Sequence, residues 1–472
     1  MKFRLNLLIA LTLLLVSCGS NGQPASATPS TASNASPPAA PATPTAARTI
    51  VAYVPSQGIG NIAVRIAVPR TPRYSTGAGV VVVASPLFTE AAGFQPDPDV
   101  TALGLIGISY LWPGQADART EAHSDGQYDY GGPNSIQALR DVLRFASGLN
   151  PDKDGRYLGD LTALPPLTEE VGLYAFSDAG LAAVAALAAY GDQLQNVQYF
   201  IGRENPTTDT LVDQEPGYWD SNDQPVYNPL YQYPQDYTPD EIRLSYTNLR
   251  WGPNYKDKQS ATVGRPYLDL DSDGQISTGD FVFSGRVPVI AGKRYYSIAL
   301  TNALLTSGVL TPAGWPADLA TPAEAAQVWQ ARQSVTLYAV LRNRTPALKV
   351  MLVFAVDDSA QVARDKPHIH QAFQGFRFET TPNADVVYPW VRLNPDRAYA
   401  QEFIPDAGLD FPDSPADTQP ADWLQINQYA YPGQGQANRL VPLAAVAEMA
   451  DRTHDTAWDP NLGKVLYTYP NP

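Results

Sequence analysis

The chain of 472 residues carries 43 Pro, 34 Gly and a single Cys, with 44% hydrophobic and 10% aromatic residues. That is enough apolar material for a sizeable core, and it excludes a collagen, a coiled coil and global disorder. A formal charge of -15 removes any phosphate-neutralising attraction to nucleic acid or to an anionic membrane surface, and one cysteine allows neither an internal disulfide nor a thiolate-rich metal site.

Lys2 and Arg4 precede an apolar stretch, residues 5–16, that is too short to span a bilayer as a helix and is closed by Ser17 and Cys18. This is the pattern of a secretory signal. The run Leu15, Val16, Ser17, Cys18 resembles the bacterial lipobox, which implies cleavage before Cys18, a lipid on its thiol and an extracytoplasmic location on a bacterial membrane. Loss of residues 1–17 takes Lys and Arg from 32 to 30 against 47 acidic residues, a net charge of -17, so the lipid is the only expected membrane contact. From Gly19 to about Arg48 the chain is almost wholly Ser, Thr, Ala, Pro, Asn and Gly. Such a composition cannot offset the entropy of ordering and reads as a flexible tether, with a random-coil reach of about 30 Å.

Beyond the tether, apolar runs alternate with helical patterns. Residues 50–54, 62–68, 79–84, 103–110, 171–176, 197–202, 348–356 and 386–393 are predicted strands; residues 135–147 and the Ala-rich 178–190 are predicted helices. The alternation predicts an α/β fold, a mostly parallel central sheet with helices on both faces. Residues 203–346 break it with Pro, Tyr, Trp, Asn and Asp, and are too many for a structureless loop, so a large irregular cap insertion is expected there. The final stretch is again irregular, with a predicted helix at 441–451 and an extended segment at 465–469. The expected organisation is a signal (1–17), a lipidated tether (18–48), a first core part (49–202), the cap (203–346), a second core part (347–397) and a C-terminal extension (398–472).

Within this order, the segment Val171 to Phe176 runs into Ser177, followed by Asp178, Ala179, Gly180 and the Ala-rich helix. Small residues at 175 and 179 permit a sharp bend with the serine at its apex, and a helix start just behind it presents free backbone N–H groups to an anion. Read locally, the same junction also suits a serine N-cap. The segment resembles the nucleophile elbow of the α/β-hydrolase family, with alanines at 175 and 179 where the family mostly has glycine. In order and type of elements the resemblance extends over most of residues 50–397.

The resemblance implies a serine nucleophile at Ser177, an acid after a later strand and a histidine base. The apolar strand at 349–356 ends in Asp357 and Asp358, and aligning Ala355 with the family's small residue assigns the acid to Asp358, with Asp357 as the alternative. The oxyanion donors implied are the backbone N–H groups of Asp178 and of Leu87 or Phe88, since Pro86 has none. No histidine stands directly after the last core strand, in the neighbourhood of Leu393 to Arg397, where the family normally has one. The four in the chain are His123 in a polar loop, His368 and His370 opening a helix behind Pro367, and His454 closing the C-terminal helix; His368, near the acid, is preferred.

Inside the insertion, Asp269, Asp271, Asp273, Ser277 and Asp280 put oxygen donors at positions one, three, five, nine and twelve of a twelve-residue loop, with Gly274 at six, the Gln275 carbonyl at seven and Ile276 at eight. This is the spacing with which a chain wraps a hard cation, and three aspartates in five residues repel one another without one. The loop resembles those of EF-hands and dockerins, with Asp rather than Glu at position twelve and no clear flanking helices, and implies a structural calcium ion. A second acidic segment, Asn150, Asp152, Asp154, Gly155, Arg156 and Asp160, has Leu161 at twelve and reads as a turn.

Two functions follow as expectations. The first is a lipid-anchored serine hydrolase acting on a small-molecule, lipid or peptide ester or amide, with calcium, no organic cofactor and no nucleic-acid partner. Aromatic residues of the cap such as Tyr218, Trp219, Tyr231, Tyr233, Tyr237 and Trp251 suit apolar or sugar-bearing substrates, and equally an ordinary core. The second is a catalytically inactive surface lipoprotein on a hydrolase scaffold.

Overall fold

A computed structural model describes residues 48–88, 93–232, 236–238, 241–255, 263–358, 361–363, 365–377, 390–404, 429–433 and 435–458. The signal, Cys18, the tether, Tyr233 and the predicted segment 465–469 lie outside the described residues. Each apolar run supplies one strand of a single eight-stranded sheet: β1 (Arg48–Ser56), β2 (Gly60–Val68), β3 (Ala78–Ala84), β4 (Ile106–Tyr110), β5 (Pro166–Phe176), β6 (Val197–Arg203), β7 (Lys349–Val353) and β8 (Val391–Leu393). Their order is β1-β2-β4-β3-β5-β6-β7-β8. The β1–β2 hairpin runs antiparallel and β3 to β8 run parallel, so the fold is α/β with a mostly parallel sheet.

The strand limits shift where local chemistry intervenes. Leu103 does not join β4: Asp99 caps a short 3-10 turn, Val100–Leu103, which ends at Gly104 with φ 74°. β7 stops at Val353, because beyond it Ala355 makes only an isolated bridge to Tyr431. Of the predicted last strand, 391–393 is extended and 386–389 lies outside the described residues.

Alternation of side chains along the strands builds two cores. Val80, Val82, Ala84, Leu173 and Ala175 face α1 (Pro133–Ala146), α2 (Ala179–Tyr190), α3 (Tyr338–Arg344) and α4 (Pro367–Phe376). Val81, Val83, Tyr174, Tyr199 and Met351 face α5 (Arg397–Phe403) and α6 (Ala437–His454). Helix α6 is longer than the predicted 441–451 at both ends, and the buried pair Arg73–Asp451, at 2.6 Å, fixes it to the connection between β2 and β3. The small residues of α2 are explained by close packing: nearly every one of them is buried.

The insertion has its own core, in which Leu249, Leu268, Phe281, Phe283, Tyr296, Leu300 and Leu304 pack together with Tyr218 and Trp251 at its edge. Several of the cap aromatics thus serve packing. Its two stems lie side by side, since Val335 N donates to Thr207 O at 3.4 Å and Asp209 N to Gln333 Oε1 at 3.2 Å. After them the chain re-enters the main core with Tyr338 and Leu341 of α3.

Candidate active site

The site is assembled at the carboxyl ends of β5, β6 and β7, which finish level: Phe176 pairs with Arg203, and Arg203 with Val353. Ser177 follows directly and takes a left-handed backbone, φ 51°, a conformation that costs about 1–3 kcal/mol for a side chain with a Cβ and persists only where its surroundings impose it. Those surroundings are visible. Ser177 N donates to Arg203 O at 2.9 Å, and the Asn205 side-chain amide donates to the carbonyls of Ser177, Ala175 and Arg203 at 2.8, 3.1 and 3.0 Å. Gly180 lets Asn205 in, since a Cβ there would stand 2.3 Å from Asn205 Cγ. Ser177 is not the N-cap of α2, which is Asp178. The serine is half-buried, and among the described residues its hydroxyl makes no hydrogen bond.

Asp358 and His368 are brought together. Both are buried, and His368 Nε2 lies 2.7 Å from Asp358 Oδ2, although the two are not aligned as a hydrogen bond. Asp357 is exposed. Gln361 N donates to Asp358 Oδ1 at 3.3 Å, and the indole of Trp219, from the insertion, donates to the Asp358 carbonyl at 2.7 Å. The structure does not join His368 to Ser177 by a hydrogen bond. His370 is buried on the same helix, while His123 is exposed in a short hairpin tied by Asp125 to Asn61 at the β1–β2 turn. His454 is held by Glu170 at 3.1 Å and stacks on Tyr74 with ring centroids 3.8 Å apart, which gives it a structural place.

The expected oxyanion donors carry a different partner. Leu87 N and Phe88 N each donate, at 3.1 Å, to the carboxylate of Asp178 itself, one to each oxygen. Sequence reasoning took Asp178 for its backbone N–H and missed its side chain. Burial pushes the Asp178 carboxyl above the ordinary carboxylate range, against these two bonds.

Two further residues at this rim were not read from the sequence. Asn205 is one. Glu204, buried with φ 49°, is the other: burial first, and then the Asp358 carboxylate, push its carboxyl up to about 8, opposed by Arg203 and Lys366. The available signal was a pair of polar residues, Glu204 and Asn205, directly after an apolar strand.

Asp269–Asp280 forms the connection of a β-hairpin, Arg265–Leu268 with Phe281–Val282, so strands and not helices flank it. Asp269, Asp271 and Asp273 bring carboxylate oxygens within 4.8 Å of one another. Asp269 is fully buried, with Oδ1 unpartnered, while Oδ2 accepts Gly274 N at 3.1 Å and faces Arg250 at 3.3 Å. Asp280 stays outside this group; its two oxygens accept Leu270 N and Ser277 N at 2.9 and 2.7 Å. Ser277 Oγ donates to Asp271 at 3.2 Å, and Gln275 is exposed. In the second acidic segment Arg156 pairs with Asp152 and Asp154 at 2.7 and 2.8 Å, which makes it an ion-paired turn.

No protein-family model matches the chain, and no curated protein sequence does. Among solved structures it is similar to an α/β serine hydrolase without a lid from Xanthomonas campestris, with 19% identity and a TM-score of 0.23 over 36% of this chain and 65% of that one. It is also similar to an esterase from the archaeon Pyrobaculum calidifontis, with 16% identity and a TM-score of 0.24 over 36% and 50%, and to a bacterial heroin esterase, with 13% identity and a TM-score of 0.24 over 35% and 46%. The matched stretch therefore spans less than two thirds of each of these structures. The strand order, the antiparallel second strand and the bend after the fifth strand together make the architecture α/β-hydrolase-like, with a large insertion between β6 and β7.

Proposed function

We propose that this chain is a serine hydrolase that cleaves an ester or amide bond, carried on a lipid at Cys18 outside the cytoplasm. The observation that carries the reading is Ser177: a non-glycine residue in a left-handed bend between β5 and α2, with an unengaged hydroxyl, at the same rim as the buried Asp358–His368 pair. In this reading Ser177 Oγ adds to the carbonyl carbon while its proton passes to the Nδ1 of His368, the ring nitrogen turned away from Asp358. Asp358 stays ionised and holds the imidazolium. The carbon–oxygen or carbon–nitrogen bond then breaks, the leaving group takes the proton, and water reverses the sequence to free the acid. In this reading His368 and Ser177 meet only in the substrate-bound enzyme, since catalytic contacts are often long in free enzymes. Phe88, edge-on to Trp329 of the insertion with ring centroids 5.7 Å apart, supports an apolar or aromatic acyl group at the mouth.

A structural calcium ion in the 269–280 loop is part of the proposal. Asp269, Asp271 and Asp273 would hold it, and the buried, unpartnered Asp269 Oδ1 supports this. The ion would supply positive charge that ties the hairpin.

A second reading, a non-catalytic binding protein on the same scaffold, is favoured by the missing Ser177–His368 bond. Labelling with a fluorophosphonate separates the two. The hydrolase reading expects covalent attachment at Ser177 and none in Ser177→Ala; a folded wild-type chain that never labels, or equal labelling of the variant, overturns it.

A further inference from the structure

The amides of Leu87 and Phe88 point at one anion. Each is 3.1 Å from a different oxygen of the Asp178 carboxylate, the fork-like arrangement in which two N–H groups bind a carboxylate most strongly. Residues 85–87, which lead into the pair, are tied at three points. Ser85 Oγ donates to Tyr110 O at 2.6 Å, Trp112 Nε1 to Pro86 O at 3.0 Å, and the Tyr128 hydroxyl to Leu87 O. The Leu87 side chain is buried against Gly131, where a Cβ would come within 2.8 Å of it, and Phe88 is braced by Trp329. The two amides are therefore set in place by contacts of residues 85–88. Their occupant is a side chain on the residue next to Ser177, half-buried and able to swing by rotation about χ1.

We infer that the Leu87–Phe88 amide pair is an anion site for a carboxylate or a tetrahedral oxyanion, and that the Asp178 carboxylate is its resident, displaceable occupant, closing the site until a substrate-derived oxygen takes its place. The regulatory part rests on the serine-hydrolase reading; the anion site does not. Whichever of the two β3-side amides would join the Asp178 N–H in holding an oxyanion is engaged by a negative charge, and a second negative charge cannot enter while the first remains.

The test uses the full chain labelled with 15N-leucine and 15N-phenylalanine, with sodium acetate as the probe. In Asp178→Ala the Leu87 and Phe88 amide resonances shift and saturate with acetate, while wild type needs at least about tenfold more acetate for the same shift. Asp178→Asn, which keeps the volume but offers one amide an NH2 group, shifts at intermediate acetate and covers the case in which the alanine variant does not fold. Fluorophosphonate labelling of Ser177 is about tenfold or more faster in Asp178→Ala than in wild type. Amides of both folded variants that ignore acetate overturn the anion site. Acetate binding with unchanged or slower labelling overturns the closing role and leaves Asp178 a structural clamp. Acetate binding to the variants with no labelling of any form overturns the hydrolase reading alone.

Discussion

The sheet rim and the insertion both bury carboxylates, and they partner them to different degrees. At the rim the chain brings its own partners: His368 stands beside Asp358, two backbone amides hold Asp178, and Arg203 and Lys366 offset the charge of Glu204. In the insertion, Glu215 has Oε1 unpartnered while Oε2 accepts the Tyr246 hydroxyl at 2.7 Å, and Asp269 leaves Oδ1 alone while Oδ2 accepts Gly274 N and faces Arg250. Burying a carboxylate is costly, so the orphan oxygens of the insertion favour a proton or a cation; at the rim Glu204 is pushed the same way, while Asp178 and Asp358 have groups of the chain beside them. The difference teaches where conditions would act: in the proposed reading, chemistry belongs to the rim and cation-dependent stability to the insertion.

The largest effect comes from removing a rim partner. His368→Ala or Asp358→Ala is expected to lower kcat/KM on a nitrophenyl ester by about 10³-fold or more, with a circular-dichroism spectrum like that of wild type; a loss below tenfold in both removes them from the relay. Next is withdrawal of the proposed calcium ion. Excess EGTA is expected to lower the melting temperature and to speed proteolysis within residues 203–346, and calcium at a hundredfold excess over its Kd restores about 2.7 kcal/mol. Asp269→Ala abolishes that response, and Asp152→Ala, in the ion-paired turn, retains it. A melting temperature indifferent to calcium in wild type breaks the contrast between the two regions.

The smallest effect is the proton. Burial pushes the Glu215 carboxyl up to about 8 from an ordinary 4.5. The folded chain keeps that proton across a window in which the unfolded chain has lost it, so the folded state binds more protons and stability falls as pH rises from about 4.5 through about 8. Glu204 contributes in the same direction. Denaturant titrations at several pH values measure the slope, and Glu215→Gln is expected to reduce it by up to about 1.4 kcal/mol per pH unit at most. An unchanged slope in that variant locates the pH dependence elsewhere.

What could be read from the sequence followed the range of the forces involved. The eight strands and both core helices were legible because alternation and apolar runs are local properties, and Ser177 was legible because a strand, a bend and a helix are contiguous. The nearness of Asp358 and His368 could be foreseen from ten residues of separation. Glu204 and Asn205 could not, because their places are set by the pairing of β6 with β5 and β7, whose residues are far apart in the chain. Nor could the carboxylate of Asp178 be foreseen on the Leu87 and Phe88 amides, since a rotamer aimed at a loop some ninety residues away leaves no local pattern. Leu103 was misread as strand because its apolar character fits either element, and Gly104 with its positive φ ended the turn there.

The side-by-side stems of the insertion, joined at Thr207–Val335 and Asp209–Gln333, make it a replaceable module. Chain that enters and leaves through one narrow doorway can be exchanged for another segment of any length whose ends meet at a similar spacing, without moving the strands it hangs from. Asn205, which grips the serine's bend, stands just before that doorway and stays with the sheet. A lineage or an engineer could therefore alter what is admitted to the rim by changing the hood, while the serine's bend is inherited intact.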